Sequence, residues 1–416
     1  MWKGSPNVAG QGVEFSGQML THRVRVRLCL GLALTALLMA GCGATALTPR
    51  RSPTPTQLAP TPNASPTPAP SPIQAVDLTW VSDEQGWALA TTRTCAGVTC
   101  VAVLATINGG QSWSTLAQLD ACLMQCPVNA EVVGHIRFAT PEIGYLYGAE
   151  YGTSPMMITT DGGYHWTVEP GPYTVALDVS GGEAMRISSP NDGCPGPCDP
   201  TIDVAPLGSN QWTTVFVPTP TYYDGGALVR QGADVYTLFP GNPAGGASST
   251  QHADLYISQD GGSLWQHEDD PCGFTGAMAD DAESMAAAPQ GVLVVLCVPR
   301  GGTGSDFLIV STDAGASFGN REQIPSGFAQ LAAASASNLV VGNADAIGGL
   351  GLRCELLYSS DGGEQWHTVV DQQAVASAVP PSFLGFESVA DGRWICPDSI
   401  LWTTTDSGAT WSQSPF

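Results

Sequence analysis

"STDAGASF", residues 311–318, closes one apolar run and precedes another. Asp313 within it admits three readings: a catalytic acid, a metal ligand or a turn residue. The same pattern returns as "TINGGQSW" at 106–113, "TTDGGYHW" at 159–166, "SQDGGSLW" at 258–265, "SSDGGEQW" at 359–366 and "TTDSGATW" at 404–411. All six fit Ser/Thr-x-Asp-x-Gly-x-x-Trp/Phe, with an amide at Asn108. Positions Asn108, Asp161, Asp260, Asp313, Asp361 and Asp406 are separated by 53, 99, 53, 48 and 45 residues, so the long gap holds two periods. Inside it "PLGSNQWTTV" at 206–215 keeps Trp212 and lacks the acid, which reads as a degenerate seventh copy.

Each residue type in the box suits a chain reversal. Asp accepts backbone N–H bonds in an Asx-type turn, Gly takes positive φ, and Ser/Thr bonds back. The closing ring, Trp113, Trp166, Trp265, Phe318, Trp366 or Trp411, buries between sheets. An amide is tolerated at Asn108 because its oxygen also accepts N–H bonds, whereas a general acid would be lost by that change. Ahead of the boxes, runs such as "VDLTWVSDEQGWALA" from Val76 and "GHIRFATPEIGYLYG" from Gly134 alternate apolar and polar residues around a polar turn. A unit of about 49 residues with four short strands describes a propeller blade. The expectation is an all-β chain, a β-propeller of seven four-stranded blades, with six or eight also compatible with the spacing.

The boxes, their copy number and the "GWALA" strand resemble the Asp-box propellers: sialidases and BNR-repeat proteins, sortilin-type ectodomains and the photosystem II stability/assembly factor-like group. The resemblance covers about four-fifths of the chain and implies that the boxes lie on the blade periphery, away from a central site. A sialidase additionally implies an arginine cluster, a Tyr/Glu nucleophile pair and an acid/base Asp. The family's Arg-Ile-Pro element is missing, and "REQIP" at 321–325 comes far too late. Arg93, Arg137, Arg186, Arg230, Arg300, Arg321, Arg353 and Arg393 fall roughly one per blade. Tyr222, Tyr223 and Asp224 read as a hairpin turn, and His165, His267 and His367 as solvent-facing positions in or after boxes. The acid pairs Asp269-Asp270 and Asp280-Asp281 lack EF-hand spacing. No catalytic residue, metal or cofactor is expected.

The N-terminal part has a different character. Arg23, Arg25 and Arg27 precede an apolar run from Leu28 to Met39, then Ala40-Gly41-Cys42, the layout of an export signal. The run is short of the roughly 20 residues that span a bilayer. Cys42 after Ala-Gly resembles the lipobox of bacterial lipoproteins, with Met39 where Leu is usual. The expected organisation is a signal peptide over 1–41, with Met19 a candidate start, a lipidated Cys42 and Pro/Thr-rich stalk over 42–73, and the propeller over 74–416. Ten further cysteines, Cys95, Cys100, Cys122, Cys126, Cys194, Cys198, Cys272, Cys297, Cys354 and Cys396, are an even number suited to disulfides in an oxidising compartment. Neighbouring pairs are expected, and Cys354 with Cys396 would link adjacent blades. "CLMQC" and "CPGPC" do not have zinc-site spacing.

After Cys42 there are ten arginines, no lysine and 36 carboxylates. Phosphate backbones call for basic clusters, so nucleic acid is an unsuitable partner. Two functions remain. The first is an extracytoplasmic, lipid-anchored, monomeric scaffold that binds a protein, peptide or glycan at the cell surface, touching the membrane only through its lipid. The alternative is a sialidase-like glycoside hydrolase.

Overall fold

Short strands of β-branched, aromatic and small residues, separated by Gly-rich turns, pair here only with their neighbours in sequence. The computed structural model describes residues 73–92, 100–119, 121–122, 131–148, 156–189, 200–218, 226–239, 253–268, 271–273, 280–299, 305–325, 330–343, 352–374, 383–396 and 400–416. The described residues contain no helix. They form seven four-stranded antiparallel sheets arranged as the blades of a propeller: blade 1 (73–119), blade 2 (135–169), blade 3 (173–216), blade 4 (227–268), blade 5 (280–323), blade 6 (330–374) and blade 7 (384–415). A two-residue parallel pairing of Ala121–Cys122 with Glu131–Val132 lies between blades 1 and 2. The degenerate copy around Trp212 is a full blade, the third. The proposed signal, Cys42 and stalk lie outside the described residues.

The first strand of each blade faces the axis, and first strands abut in order from blade 1 to blade 7, while at the closing seam the first strand of blade 1 meets the second strand of blade 7. Blade 7 is built wholly from the C-terminal residues 384–415, so no N-terminal strand completes it. The ring closes by packing: Leu78, Trp80, Ala88 and Leu104 of blade 1 share a core with Ile395 and Leu401 of blade 7. The C-terminal Phe416 lies against Trp113, with ring centroids 4.9 Å apart.

Two turns per blade lie at one end of the strands, and a hydrogen bond ties them together. The N–H after the box acid donates to the first-hairpin turn in every boxed blade: Gly109 to Glu84 O (2.9 Å), Gly162 to Glu142 O (2.9 Å), Gly261 to Ala233 O (2.8 Å), Ala314 to Gly291 O (2.8 Å), Gly362 to Ser337 O (3.0 Å) and Ser407 to Ala390 O (2.9 Å). In blade 3, Leu207 N–H plays this part towards Gly182 O at 3.2 Å. We call this end the box face.

Inside box 5, Ser311 Oγ donates to Asp313 Oδ1 (2.8 Å) and accepts Gly315 N–H (2.8 Å), while Asp313 Oδ1 accepts Ser317 N–H (2.8 Å). The other five boxes repeat this arrangement, with Leu264 N–H as the donor in box 4 and Ser112 N–H donating to the amide oxygen of Asn108 in box 1. Trp166, Trp265 and Trp411 donate their indole N–H to the carbonyl of the glycine two residues after the box acid at 2.9–3.0 Å. That glycine also touches the preceding blade. A Cβ on Gly315 would lie 2.4 Å from Ile257 of blade 4, and one on Gly408 2.6 Å from Val340 of blade 6. The box is therefore both a turn and a spacer at the blade seam.

Cross-links appear nearer the other end. Cys272, after blade 4, is bonded to Cys297 of blade 5, and Cys354 of blade 6 to Cys396 of blade 7, with Cα separations of 5.7 and 5.8 Å. Cys95, Cys126, Cys194 and Cys198 lie outside the described residues. Cys100 and Cys122 are described as strand backbone only.

Candidate functional site

The inner strands of all seven blades enclose a cavity of about 530 Å³, a size that holds small ligands or a short peptide segment. Its walls differ in kind. Blades 4 to 6 supply Leu228, Val229, Met285, Ala286, Ala287 and Leu331 among others, a mainly apolar surface in which Gln231 is the polar side chain. Blades 1 to 3 and 7 supply Asp77, Asp83, His135, Arg137, Tyr147, Asp178 and Glu387.

Asp77 and Asp178 stand on otherwise apolar first strands for a structural reason. First strands of adjacent blades do not pair, so their edge N–H groups need other acceptors. Asp77 Oδ2 accepts Ile136 N–H of blade 2 at 2.9 Å and lies 3.3 Å from His135 Nδ1, while Oδ1 accepts Leu78 N–H at 2.9 Å. Asp178 repeats the device between blades 3 and 4: Oδ2 accepts Arg230 N–H at 2.7 Å and Oδ1 accepts Val179 N–H at 2.9 Å. Thr79 Oγ1 accepts Phe138 N–H at 3.0 Å. Both carboxylates are buried, 6% and 5% exposed, and bound on each oxygen.

Arg137 of blade 2 donates from Nη2 to Asp178 Oδ1 at 2.5 Å, with its side chain half-buried. The Asp178 charge is the main cause of a raised Arg137 pKa. Tyr147 donates its hydroxyl to Leu177 O at 3.2 Å. Burial, followed by the Asp77 charge, raises its pKa, so the phenol stays protonated. His135 stacks on Tyr147 with centroids 5.3 Å apart.

Glu387 occupies the first-hairpin turn of blade 7, where the cavity approaches the box face. Both carboxylate oxygens are out of solvent contact and accept no hydrogen bond. Burial, only partly offset by Arg393, pushes its pKa up to about 7. Arg393 Nη1 is 3.7 Å from Glu387 Oε2. The guanidinium is held elsewhere, over the Trp80 ring at 4.6 Å, with Nη1 donating to Gly392 O and Nη2 to Asp83 O.

Among the described arginines, Arg137 is the one that lines the cavity. Arg186 is buried in blade 3 against Asp203 (3.2 Å) and over Trp212 (4.2 Å). Arg230 lies 3.8 Å from Glu183, and Arg353 pairs with Asp371 at 2.6 Å. Arg321 donates to the carbonyls of Cys272 and Gly273. The three-arginine convergence that a sialidase implies is absent among the described residues. Arg93, Arg300, Tyr222, Tyr223, Asp224, Asp269 and Asp270 lie outside them, and Asp280 and Asp281 are described as strand backbone. His165 pairs with the box acid Asp161 (2.5 Å) and His267 with Asp254 (2.8 Å), while His367 opens the outer strand of blade 6. The described residues hold no cluster of three or more metal-ligating side chains.

Sequence reasoning passed over Asp77, Asp178 and Glu387. The available signal was an acid within an apolar strand in "VDLT" and "ALDV". For Glu387 there was none, since an acid in a polar turn is ordinary.

No family model matches the chain, and no curated protein matches it. Solved structures do. YCF48 bound to a D1 peptide aligns with a TM-score of 0.52 at 18% identity, covering 81% of this chain and 94% of that one. YCF48 from Cyanidioschyzon merolae aligns at 0.52 with 13% identity, covering 82% and 98%. An ancestral GH74 enzyme aligns at 0.50 with 14% identity, covering 83% of this chain and 47% of its own. Likeness at such identities speaks for the fold alone, which hosts unrelated functions.

Proposed function

We propose that the chain is a non-catalytic binding scaffold that holds a protein or peptide partner at its central cavity. The observation that carries this reading is the state of the polar wall. Asp77 and Asp178 spend both oxygens on neighbouring N–H groups, and Arg137 is committed to Asp178. What remains is an apolar wall facing fixed polar groups, a surface that orients a ligand rather than transfers protons. The fold similarity to YCF48 bound to a D1 peptide supports a peptide as ligand. In this proposal the six boxes, from Asn108 to Asp406, frame the blades and take no part in binding at the cavity. The scaffold is exported and tethered through a lipid on Cys42 and the stalk of residues 42–73.

A sialidase-like glycoside hydrolase is the second reading. Glu387 favours it, because a carboxyl with a pKa raised to about 7 has the property of a general acid. Its oxygens are closed off from solvent, and among the described residues no second carboxylate with a free oxygen is buried beside it.

The test is photo-cross-linking on intact cells with a benzophenone amino acid at Ala287 in the apolar wall. A reproducible protein adduct, missing when the probe sits at Thr213 on an outer strand, is expected. Equal labelling at both positions would remove the cavity from the account. A Cys42→Ser variant is expected to leave the membrane fraction, and unchanged partitioning would refute the lipid tether.

A further inference from the structure

Asn108-Gly109 is the one Asn-Gly pair in the chain, and its Asn occupies the acid position of box 1. Such a pair carries a reaction of its own. The backbone nitrogen of the following residue attacks the carboxamide carbon, the bond from that carbon to Nδ2 breaks, and ammonia leaves behind a cyclic imide. Water then opens the imide at either carbonyl, giving aspartate or isoaspartate. One water is consumed and one ammonia released, with no change of oxidation state. Glycine favours the attack because no side chain obstructs its nitrogen.

The folded box withholds each participant. Gly109 N–H donates to Glu84 O at 2.9 Å, so the attacking nitrogen is committed to the first-hairpin turn. The carboxamide is fixed at both ends: Oδ1 accepts the Thr106 hydroxyl (2.9 Å) and Ser112 N–H (3.0 Å), and Nδ2 donates to Ser112 Oγ (2.8 Å). The reaction therefore requires the turn to open. Box 1 stands where the ring closes. A Cβ on Gly110 would lie 2.6 Å from Leu401 of blade 7, and Trp113 packs against the C-terminal Phe416. That seam is shut by side-chain packing, with no N-terminal strand completing blade 7, so parting of blades 7 and 1 removes the support of the turn.

The two products fit the box differently. Aspartate puts a carboxylate oxygen where Nδ2 stood, and Ser112 Oγ can turn to donate to it, as Ser317 Oγ does to Asp313 Oδ2 (2.5 Å) and Thr410 Oγ1 to Asp406 Oδ2 (2.6 Å). Isoaspartate instead lengthens the backbone of the turn by one methylene, which displaces Gly109 from Glu84 and Gly110 from Leu401. We propose that Asn108 is a modification site, deamidated spontaneously when blades 7 and 1 part, with aspartate completing a sixth Asp box and isoaspartate keeping the seam from closing. The inference goes beyond the cavity reading and does not depend on it, since box 1 lies outside the cavity.

The test incubates the full chain at neutral pH and follows Asn108 by peptide-mapping mass spectrometry, in buffer and in urea. Deamidation is expected to run at least about tenfold more slowly in buffer, where the turn is closed. Phe416→Ala, checked for folding by circular dichroism, loosens the closing seam and is expected to speed the reaction in buffer about fivefold. Gly315→Ala strains the seam of blades 4 and 5 instead and is expected to leave the rate within about twofold. Asn108→Asp is expected to keep the urea midpoint of the unmodified chain or raise it. Equal rates in buffer and urea would show that the turn guards nothing and overturn the proposal. An acceleration by Gly315→Ala as large as that by Phe416→Ala would overturn it too, by assigning the opening to the whole ring. A lowered midpoint for Asn108→Asp would show that the box does not accept the product.

Discussion

The two ends of the propeller are built by different rules. On the box face every reversal from third to fourth strand repeats one eight-residue turn, blade 3 excepted, and each is tied to the first-hairpin turn of its own blade. At the opposite end the second-to-third-strand connections range from residues 397–399 in blade 7 to residues 240–253 in blade 4. The box-face turns carry carboxylates and no lysine or arginine, while Arg353 stands beside the connection at the other end of blade 6. Repetition in sequence marks what every blade needs. Irregularity marks where the chain is free to differ.

The comparison breaks most sharply at the glycine two residues after the box acid. Gly315→Ala adds a Cβ 2.4 Å from Ile257 at a φ of +85°, combining backbone strain with overpacking at a buried seam. A loss of about 3 kcal/mol is expected from urea denaturation. A loss below about 1 kcal/mol would show that the boxes do not space the blades.

At the other end the corresponding role falls to disulfides. Cys354→Ser/Cys396→Ser removes the link between blades 6 and 7 and is expected to cost about 3 kcal/mol. An unchanged denaturation midpoint would mean that packing alone holds that seam.

Glu387 makes the cavity mouth sensitive to pH. Its pKa is raised from 4.5 to about 7, so the folded chain keeps a proton that the unfolded chain has released. Stability from this group is present in full below about pH 4.5 and is lost as pH rises through 7. Glu387→Gln is expected to raise stability by about 2 kcal/mol at pH 8 and to leave it nearly unchanged at pH 4. A gain independent of pH would show that the carboxyl does not titrate in this window.

The smallest effect concerns the stretch "STDAGASF". Asp313→Ala removes bonds from Ser311, the Ser317 N–H and the Ser317 hydroxyl at an exposed turn, and a small downward shift of the urea midpoint is expected. Asp313→Asn should cost less, because Asn108 makes the same N–H contact in box 1. Equal losses for the two variants would tie the turn to charge rather than to an acceptor oxygen.

Much of the frame was legible because it repeats. Six boxes fixed the period, and Trp212 marked a blade that had lost its acid. That blade is held differently: Gly208 N–H donates to Tyr145 OH at 2.8 Å, and Arg186 lies over Trp212. Ring closure was not legible, since the contact of Phe416 with Trp113 joins residues about 300 apart with no shared pattern. The cavity was hidden for the same reason. Asp77 meets blade 2 and Asp178 meets blade 4 through backbone N–H groups, and such partners leave no mark on residue identity. Arg137 looked like one of eight scattered arginines until the ring brought it beside Asp178.

The central claim is that the cavity binds and does not catalyse. The direct measurement is turnover of a fluorogenic sialoside panel by the purified full chain, with Arg137→Ala, the cavity's described arginine, alongside and checked for folding by circular dichroism. The account predicts no turnover above the level of that variant. Turnover by the unmodified chain that folded Arg137→Ala abolishes would contradict it.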